Sequence, residues 1–581
     1  MAVERENENI RYEPDENPPS PITVGAGLQA AAIILTPVVL TVVIVFRIAD
    51  QPDSYVSWGV FAALIVSGIT TVLQAVRVGR IGAGHVLIMG TSGAFIAVCV
   101  AALVEGGPAT MASLVVVSSL FQFALAARLS LLRRIFTPVV SGTVIMLITA
   151  TVAPVVYDTM VSVPEGTSAA AAPLATVATL VVVAALVLRG PPGLRLWSPV
   201  IGIAVGCVVS APFGLYDFQQ ILDAPWVGVS FGSWPGFDLT PGPEFWALLP
   251  AFVAVTLVGA IETIGDGVAI QRVSRRKPPA TDFRVVQGAL NADGVGNLLS
   301  GILGTLPNTT YSTSVALPEV TGIAARRVGV IIGVIFLVLA FLPKVTAILI
   351  AIPAPVAAAY IMVLLGLLFV QGMKIIIQDG VDHRKAAVAG LAFWIGVGFQ
   401  NQWIFAEQLG DGFLSVLLGN GMTSGAIVAI IMMVFLELTG PRRRRLSIPL
   451  DSEALPKLVE FLREFASKAG WNEASRERVV LVGEETLASL SSEEDEDVER
   501  TRARRLIVTA RPDGRGAELE FVSGYEGENL EDRLAYLGET PDIRDDREIS
   551  FRLLRHYASS VRHQKYHGED VVTVRVENPR K

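Results

Sequence analysis

From about residue 24 to residue 439 the chain alternates apolar runs with short breaks of Gly, Pro and charged residues. A run of about 20 apolar residues is the length that crosses a bilayer as a helix. Clear runs cover residues 24–46, 59–75, 139–156, 174–188, 328–342 and 425–436, and shorter or broken ones bring the expected total to about fourteen spans. Two runs are interrupted. Residues 85–101, HVLIMGTSGAFIAVCVA, carry GTSG in mid-run, and residues 301–321, GILGTLPNTTYSTSVALPEVT, place a polar, Pro-containing stretch before too few apolar residues to span. The pattern predicts two broken helices there. After Arg445 the chain turns charged: Leu455, Leu458, Leu462 and Phe465 recur at helical spacing, and residues 505–510, 517–522 and 571–576 alternate like strands. The expected organisation is a disordered cytoplasmic N-terminus (1–21), an all-α polytopic membrane portion (22–440), a basic linker (441–446) and a soluble cytoplasmic α/β domain (447–581).

Composition agrees with the pattern and removes other classes. With 52% hydrophobic and 17% charged residues and a mean hydropathy of +0.54, the chain is too apolar for an ordinary soluble protein. Its net charge of −8 averages an apolar body with a charged tail, and no nucleic-acid partner is expected. Cys99 and Cys207 sit in apolar runs, so neither a disulfide nor a metal site is expected. The N-terminal stretch is acidic where a signal peptide is basic, and reads as an extension retained in the mature protein. Loops rich in Lys and Arg stay cytoplasmic; residues 272–284 and 442–445 therefore place both termini inside, which an even number of spans satisfies.

The candidate chemistry lies in residues 251–270, AFVAVTLVGAIETIGDGVAI, where Glu262 and Asp266 stand one helical turn apart in an otherwise apolar span. A carboxylate in hydrocarbon costs several kcal/mol, on the order of 3 for Asp on insertion scales, so the pair implies a polar interior site. Two carboxylates on one helix face resist being charged together, and such a pair can carry a proton. Proton-coupled transport needs a site whose affinity for solute depends on protonation. The polar stretch that follows, Asn291, Asp293 and Asn297, then Asn308 to Ser314 including Tyr311, Ser312 and Thr313, requires protein or solute partners at membrane depth. Half-helix N-termini at two breaks would offer unpaired N–H groups to a polar solute. Asp293 and Asn308 are candidate supporting residues.

The run from Gln287, QGALNADGVGNLLSGILGTLPNTTYSTSVALPEVTGIAARRVG, together with AIETIGD, resembles the nucleobase/ascorbate transporter family, the uracil and xanthine permeases. The resemblance covers residues 22–439. It implies fourteen spans in two inverted seven-span repeats, a core domain holding the substrate, a gate domain that also forms a homodimer, and proton-coupled uptake of a uracil-like or purine base without a cofactor. Carried over by position, Glu262 matches the substrate-binding glutamate. Asp266 stands where uracil permeases have a histidine. Tyr311, Ser312, Thr313 and Ser314 fall on the stretch that contacts the base, and Gly93 falls on a residue whose main chain does so. The family signature has Glu, Gln or Pro followed by Asn-x-Gly; here it reads Thr313, Ser314, Val315, Ala316, with Thr321 and Gly322 retained. Thr313 offers a hydroxyl where relatives offer a second carboxylate or an amide, which shifts proton coupling onto Glu262 and Asp266.

The tail, with ERVVLVGEETLASL and EISFRLLRHYASSV, resembles the ATP-binding domain of anti-sigma-factor and histidine kinases. Ser489 replaces the metal-binding Asn of that family, and residues 523–527, SGYEG, replace its Asp-x-Gly-x-Gly box. ATP or Mg²⁺ binding is therefore not expected, and the resemblance implies a degenerate module that docks a cytoplasmic regulatory protein. Two alternatives to nucleobase symport stay open: an anion or weak-acid transporter on the same architecture, and a membrane-anchored solute sensor signalling through the tail. No nucleophile–base or metal-ligand spacing suggests an enzyme.

Overall fold

The computed structural model describes residues 7, 9–128, 138–164, 166–216, 218–229, 234–277, 280–378, 383–409, 418–419, 421–439, 443–451, 453–491, 505–513, 516–523, 546–567 and 569–577. Contacts divide the chain into one unit of residues 1–277 and 285–434 and a second of 278–284 and 435–581.

The first unit is built of helices: α1 (Ser20–Ile48), α2 (Asp53–Val76), α3 (Ile96–Glu105), α4 (Gly107–Ala127), α5 (Pro138–Val161), α6 (Ala171–Arg189), α7 (Pro192–Ser210), α8 (Pro243–Val273), α9 (Phe283–Leu303), α10 (Thr313–Thr321), α11 (Arg326–Ala340), α12 (Pro343–Ile350), α13 (Ala354–Gln378), α14 (His383–Gln400) and α15 (Gly421–Thr439). Two three-residue strands, β1 (Met89–Thr91) and β2 (Asn308–Thr310), lie among them. Among the described residues seven helices are long and apolar enough to cross a membrane, and α11 with α12 makes an eighth candidate bent by 88°. This makes the chain a multi-pass membrane protein. Two of the apolar runs are not continuous helices: residues 85–101 and 301–321 each become a strand followed by a half-helix, α3 and α10.

Helices approach closely where the sequence supplies glycine. A Cβ on Gly68 of α2 would meet the Gly333 carbonyl of α11 at 2.8 Å, and one on Gly333 would meet that of Gly68 at 2.6 Å. Gly142 of α5 and Gly372 of α13 face each other the same way, at 2.5 and 2.7 Å. Small residues replace the hydrophobic effect as the means of association in lipid, where packing and backbone proximity decide which faces meet.

The N-terminal residues are ordered where they are described, contrary to the disorder expected for 1–21. Ile10 is buried. Asn7 Nδ2 donates to the carbonyls of Arg272 and Arg275, both at 2.8 Å, and the N–H groups of Arg11 and Tyr12 donate to the Gly322 carbonyl at 2.8 and 3.1 Å. Arg276 pairs with Glu16 at 2.8 Å and Arg275 with Asp15 at 3.1 Å. The acidic composition that suggested disorder is complementary to the basic end of α8, and the strap ties that end to the turn after α10.

In the second unit β3 (Arg444–Pro449), β4 (Arg505–Asp513), β5 (Gly516–Ser523), β6 (Ser560–Tyr566) and β7 (Glu569–Glu577) form an antiparallel sheet of order β3-β4-β5-β7-β6. Helices α16 (Ala454–Lys468), α17 (Glu473–Ser491) and α18 (Asp546–Tyr557) accompany it. Leu458, Leu462 and Phe465 of α16 join Val508, Leu519, Phe521, Val572 and Val574 in one core. The expected linker is corrected: Arg444–Leu446 pair with residues 508–510 of β4. The alternation of Leu446 and Ile448 is the strand signal that the arginines obscured. Ser489 Oγ donates to the Glu485 carbonyl at 2.7 Å within α17, and residues 524–527 of the altered nucleotide box lie outside the described residues.

Candidate substrate site

The two interrupted segments meet. β1 and β2 pair antiparallel, Met89 with Thr310, Gly90 with Thr309 and Thr91 with Asn308, and the ladder continues through Tyr311 N–H to the Ile88 carbonyl (2.9 Å) and Ser92 N–H to the Pro307 carbonyl (2.8 Å). Non-helical backbone among buried helices has no water to bond, so each break satisfies the other. From this ribbon the chain leaves in two short helices: through Ser92 and a 3₁₀ turn at Gly93–Phe95 into α3, and through Tyr311 and Ser312 into α10. Helix α8 packs against the 3₁₀ turn, α3, β2 and α10 together. The span with the paired carboxylates thus borders both half-helix beginnings.

Asp266 is buried and accepts from Thr310 Oγ1 at 2.8 Å. Asp293 of α9 is fully buried; its Oδ2 accepts from Thr263 Oγ1 at 2.8 Å and from Gln122 Nε2, while its Oδ1 has no partner. Glu262 differs from both. It is half-buried, its charged neighbours are Asp266 and Asp293, and its carboxylate has no hydrogen-bond or ion-pair partner among the described residues. Three carboxyl groups in one desolvated region with no facing cation among the described residues repel one another, so they are not all charged at once.

The remaining expected residues separate into two groups. Gly93 and Thr313 are exposed and Tyr311 and Ser312 half-buried, although their neighbours in the ribbon are buried. A Cβ on Gly93 would meet nothing within 4 Å, so its main chain borders open space. Tyr311 Oη donates to the Thr91 carbonyl at 2.8 Å, and Ser312 Oγ accepts from Gln371 of α13 at 3.3 Å. Ser314, by contrast, is buried and its Oγ accepts from Ile88 N–H at 2.8 Å. Asn308 is likewise buried, with its N–H donated to Asn297 Oδ1 at 2.7 Å and its Nδ2 to Ser67 Oγ at 3.1 Å. These two fasten the ribbon, whereas Glu262, Gly93, Tyr311, Ser312 and Thr313 have accessible surface.

Thr263, Gln122, Gln371 and Thr91 were not singled out by sequence. The usable signal was a polar side chain within an apolar run, clearest for Gln122 in SSLFQFALAA. A cavity of about 270 Å³ lined by Ser57, Phe61, Pro225, Pro343 and Thr346 contains none of the carboxylates and is not this site.

Residues 22–404 match a family model of the xanthine and uracil permeases, described as Permease family. A Clostridium perfringens protein named as a purine permease is 30% identical over 440 residues, 74% of this chain and 93% of that protein. Xanthine permease XanP of Escherichia coli (strain K12) is 26% identical over 450 residues, 74% of this chain and 95% of the permease. Among solved structures, the murine Slc26a9 anion transporter in the inward-facing state is similar at a TM-score of 0.48 with 15% identity, over 75% of this chain and 72% of that one.

Proposed function

Because the chain belongs to the permease family of the xanthine and uracil permeases, we propose that it moves a nucleobase across the membrane in symport with protons, by alternating access. The observation that carries this reading is Glu262, a half-buried carboxylate without a hydrogen-bond or ion-pair partner among the described residues, at the junction of two half-helices. An ionised carboxylate accepts hydrogen bonds only, and a planar base with adjacent ring N–H groups supplies them. The main chain at Gly93 and the half-helix beginnings face the same junction and suit the polar edge of the ring. Proton coupling follows from the crowding of Glu262, Asp266 and Asp293: an added proton relieves their repulsion, so base and proton bind best together.

On this reading the bent pair, the half-helices and the shorter apolar segments complete fourteen spans in two inverted repeats. The core carrying α3, α8 and α10 moves against a gate that also forms a homodimer. Both termini and the second unit lie in the cytoplasm, the body in the cytoplasmic membrane, and the second unit docks a regulatory protein. Thr313, with a single polar atom, cannot make the two-pronged contact of a carboxylate or amide, which favours tolerance of several bases over tight selection of one.

Competition tests the substrate class. Uptake of labelled xanthine into proteoliposomes should be suppressed by excess uracil, uric acid or another base that presents ring N–H groups, and unaffected by bicarbonate, sulfate or chloride. Suppression by the inorganic anions alone would replace the nucleobase reading with anion transport.

A further inference from the structure

Gln122 sits in the C-terminal third of α4, a helix with no ionisable side chain, and its buried amide is bonded at both ends. Asn297 Nδ2 donates to Gln122 Oε1 at 2.6 Å, and Gln122 Nε2 donates to Asp293 Oδ2. The direction of this chain is fixed by its far end. Asn308 N–H is a main-chain group that can only donate, so the atom of Asn297 that meets it at 2.7 Å must be the oxygen. Asn297 then has only its amino group for Gln122, and Gln122 only its amino group for Asp293. With Thr263 also donating to it, Asp293 Oδ2 is held as an acceptor. A proton that leaves both donor bonds at Oδ2 in place sits on Oδ1, which is buried and unpartnered among the described residues.

We infer that Gln122 is a positioning residue that relays the charge state of Asp293, through Asn297, to the first residue of β2. The inference rests on the proton-symport reading and deepens it. When a proton arriving from water joins Asp293 Oδ1, the donor bonds at Oδ2 cease to be charge-assisted and weaken. The change passes along two amides whose polarity cannot reverse and reaches Asn308, three residues before Tyr311. The same carboxylate holds Thr263, the residue next to Glu262. Loading of the proton is thus coupled to both walls of the site, the ribbon and α8. The ionisable groups facing Asp293 are Glu262 and Asp266 of α8; α4, β2 and the rest of the buried face of α9 contribute none.

The test compares Gln122→Met, which fills a similar volume without either hydrogen bond, with the exchange Gln122→Glu/Asp293→Asn, in which the new amide donates both to the new carboxylate and to Thr263 Oγ1, whose own proton turns to Thr309. Two quantities are read in reconstituted full-length protein: the pH profile of labelled-xanthine uptake, and the infrared carbonyl band of the protonated carboxyl that disappears in Asp293→Asn. The relay predicts about tenfold slower uptake for Gln122→Met, with both the pH profile and the band displaced from those of the parent. It also predicts that the exchange recovers the base KM lost in Asp293→Asn alone. Slower uptake with an unchanged profile and an unmoved band would leave Gln122 a packing residue and overturn the relay. If Gln122→Met does not fold, the exchange decides: recovery supports the relay and its failure overturns it. If the parent protein moves no base, the transport reading falls, while the infrared band still decides whether Gln122 acts on Asp293.

Discussion

Glu262→Gln should abolish accumulation of base without weakening the fold. The substituted amide keeps the shape of the side chain but can neither accept from two ring N–H groups nor take up a proton. A hydrogen bond to a charged group is worth about 1.5–3 kcal/mol, so affinity alone falls roughly ten- to hundredfold. Loss of one of the three crowded carboxyl groups also removes the repulsion that draws the proton in, and with it concentrative uptake. Stability should be unchanged or slightly raised, since Glu262 makes no hydrogen bond or ion pair among the described residues and a half-buried charge is replaced by a neutral group. Uptake assays and thermal unfolding of the same purified sample check the two halves together. A variant that lost transport only because it unfolded at a lower temperature would assign Glu262 a structural role.

Gly90→Ala should disable the site by the opposite route, through the ribbon that holds it. A Cβ at Gly90 would lie 2.5 Å from Tyr311 Cε2 and 2.7 Å from Val38 Cγ2, both closer than side chains tolerate. The Tyr311 ring cannot simply withdraw, because its hydroxyl is bonded to the Thr91 carbonyl across the ribbon. Overpacking of this kind typically costs about 1–3 kcal/mol. Here it also displaces a residue at the mouth of α10. The expected result is a lower unfolding temperature and loss of uptake. Gly93→Ala, three residues on, is the control: its Cβ enters open space, so the fold should survive unchanged. Equal destabilisation by both changes would contradict the ribbon geometry.

The helical body was legible because its signal is local. The runs 24–46, 59–75, 139–156 and 174–188 fall within α1, α2, α5 and α6, each bounded by a Pro, Gly or charged residue. The breaks at GTSG and LPNTTY were visible for the same reason. Their antiparallel pairing was not, since register joins residues more than two hundred positions apart and neither strand exceeds three residues. Glu262 and Asp266 stood out because carboxylates are rare in apolar spans. The orientation of Ser314 was not legible, because a family position does not say which way a hydroxyl turns; here it turns back to Ile88. The N-terminal strap was misread because acidic composition means disorder only where no basic surface is available, and the partners, Arg275 and Arg276, lie 260 residues away. Strand β3 was lost beneath its arginines.

The central claim is that base and proton move together through the site at Glu262. It is tested most directly by following labelled xanthine and internal pH at once in proteoliposomes that carry an inward proton gradient. Xanthine should accumulate above its external concentration, and each pulse of base should acidify the interior. Both effects should vanish with a protonophore or with Glu262→Gln. Xanthine entry that proceeds equally without the gradient, leaves internal pH unmoved, or persists at full rate in Glu262→Gln would contradict it.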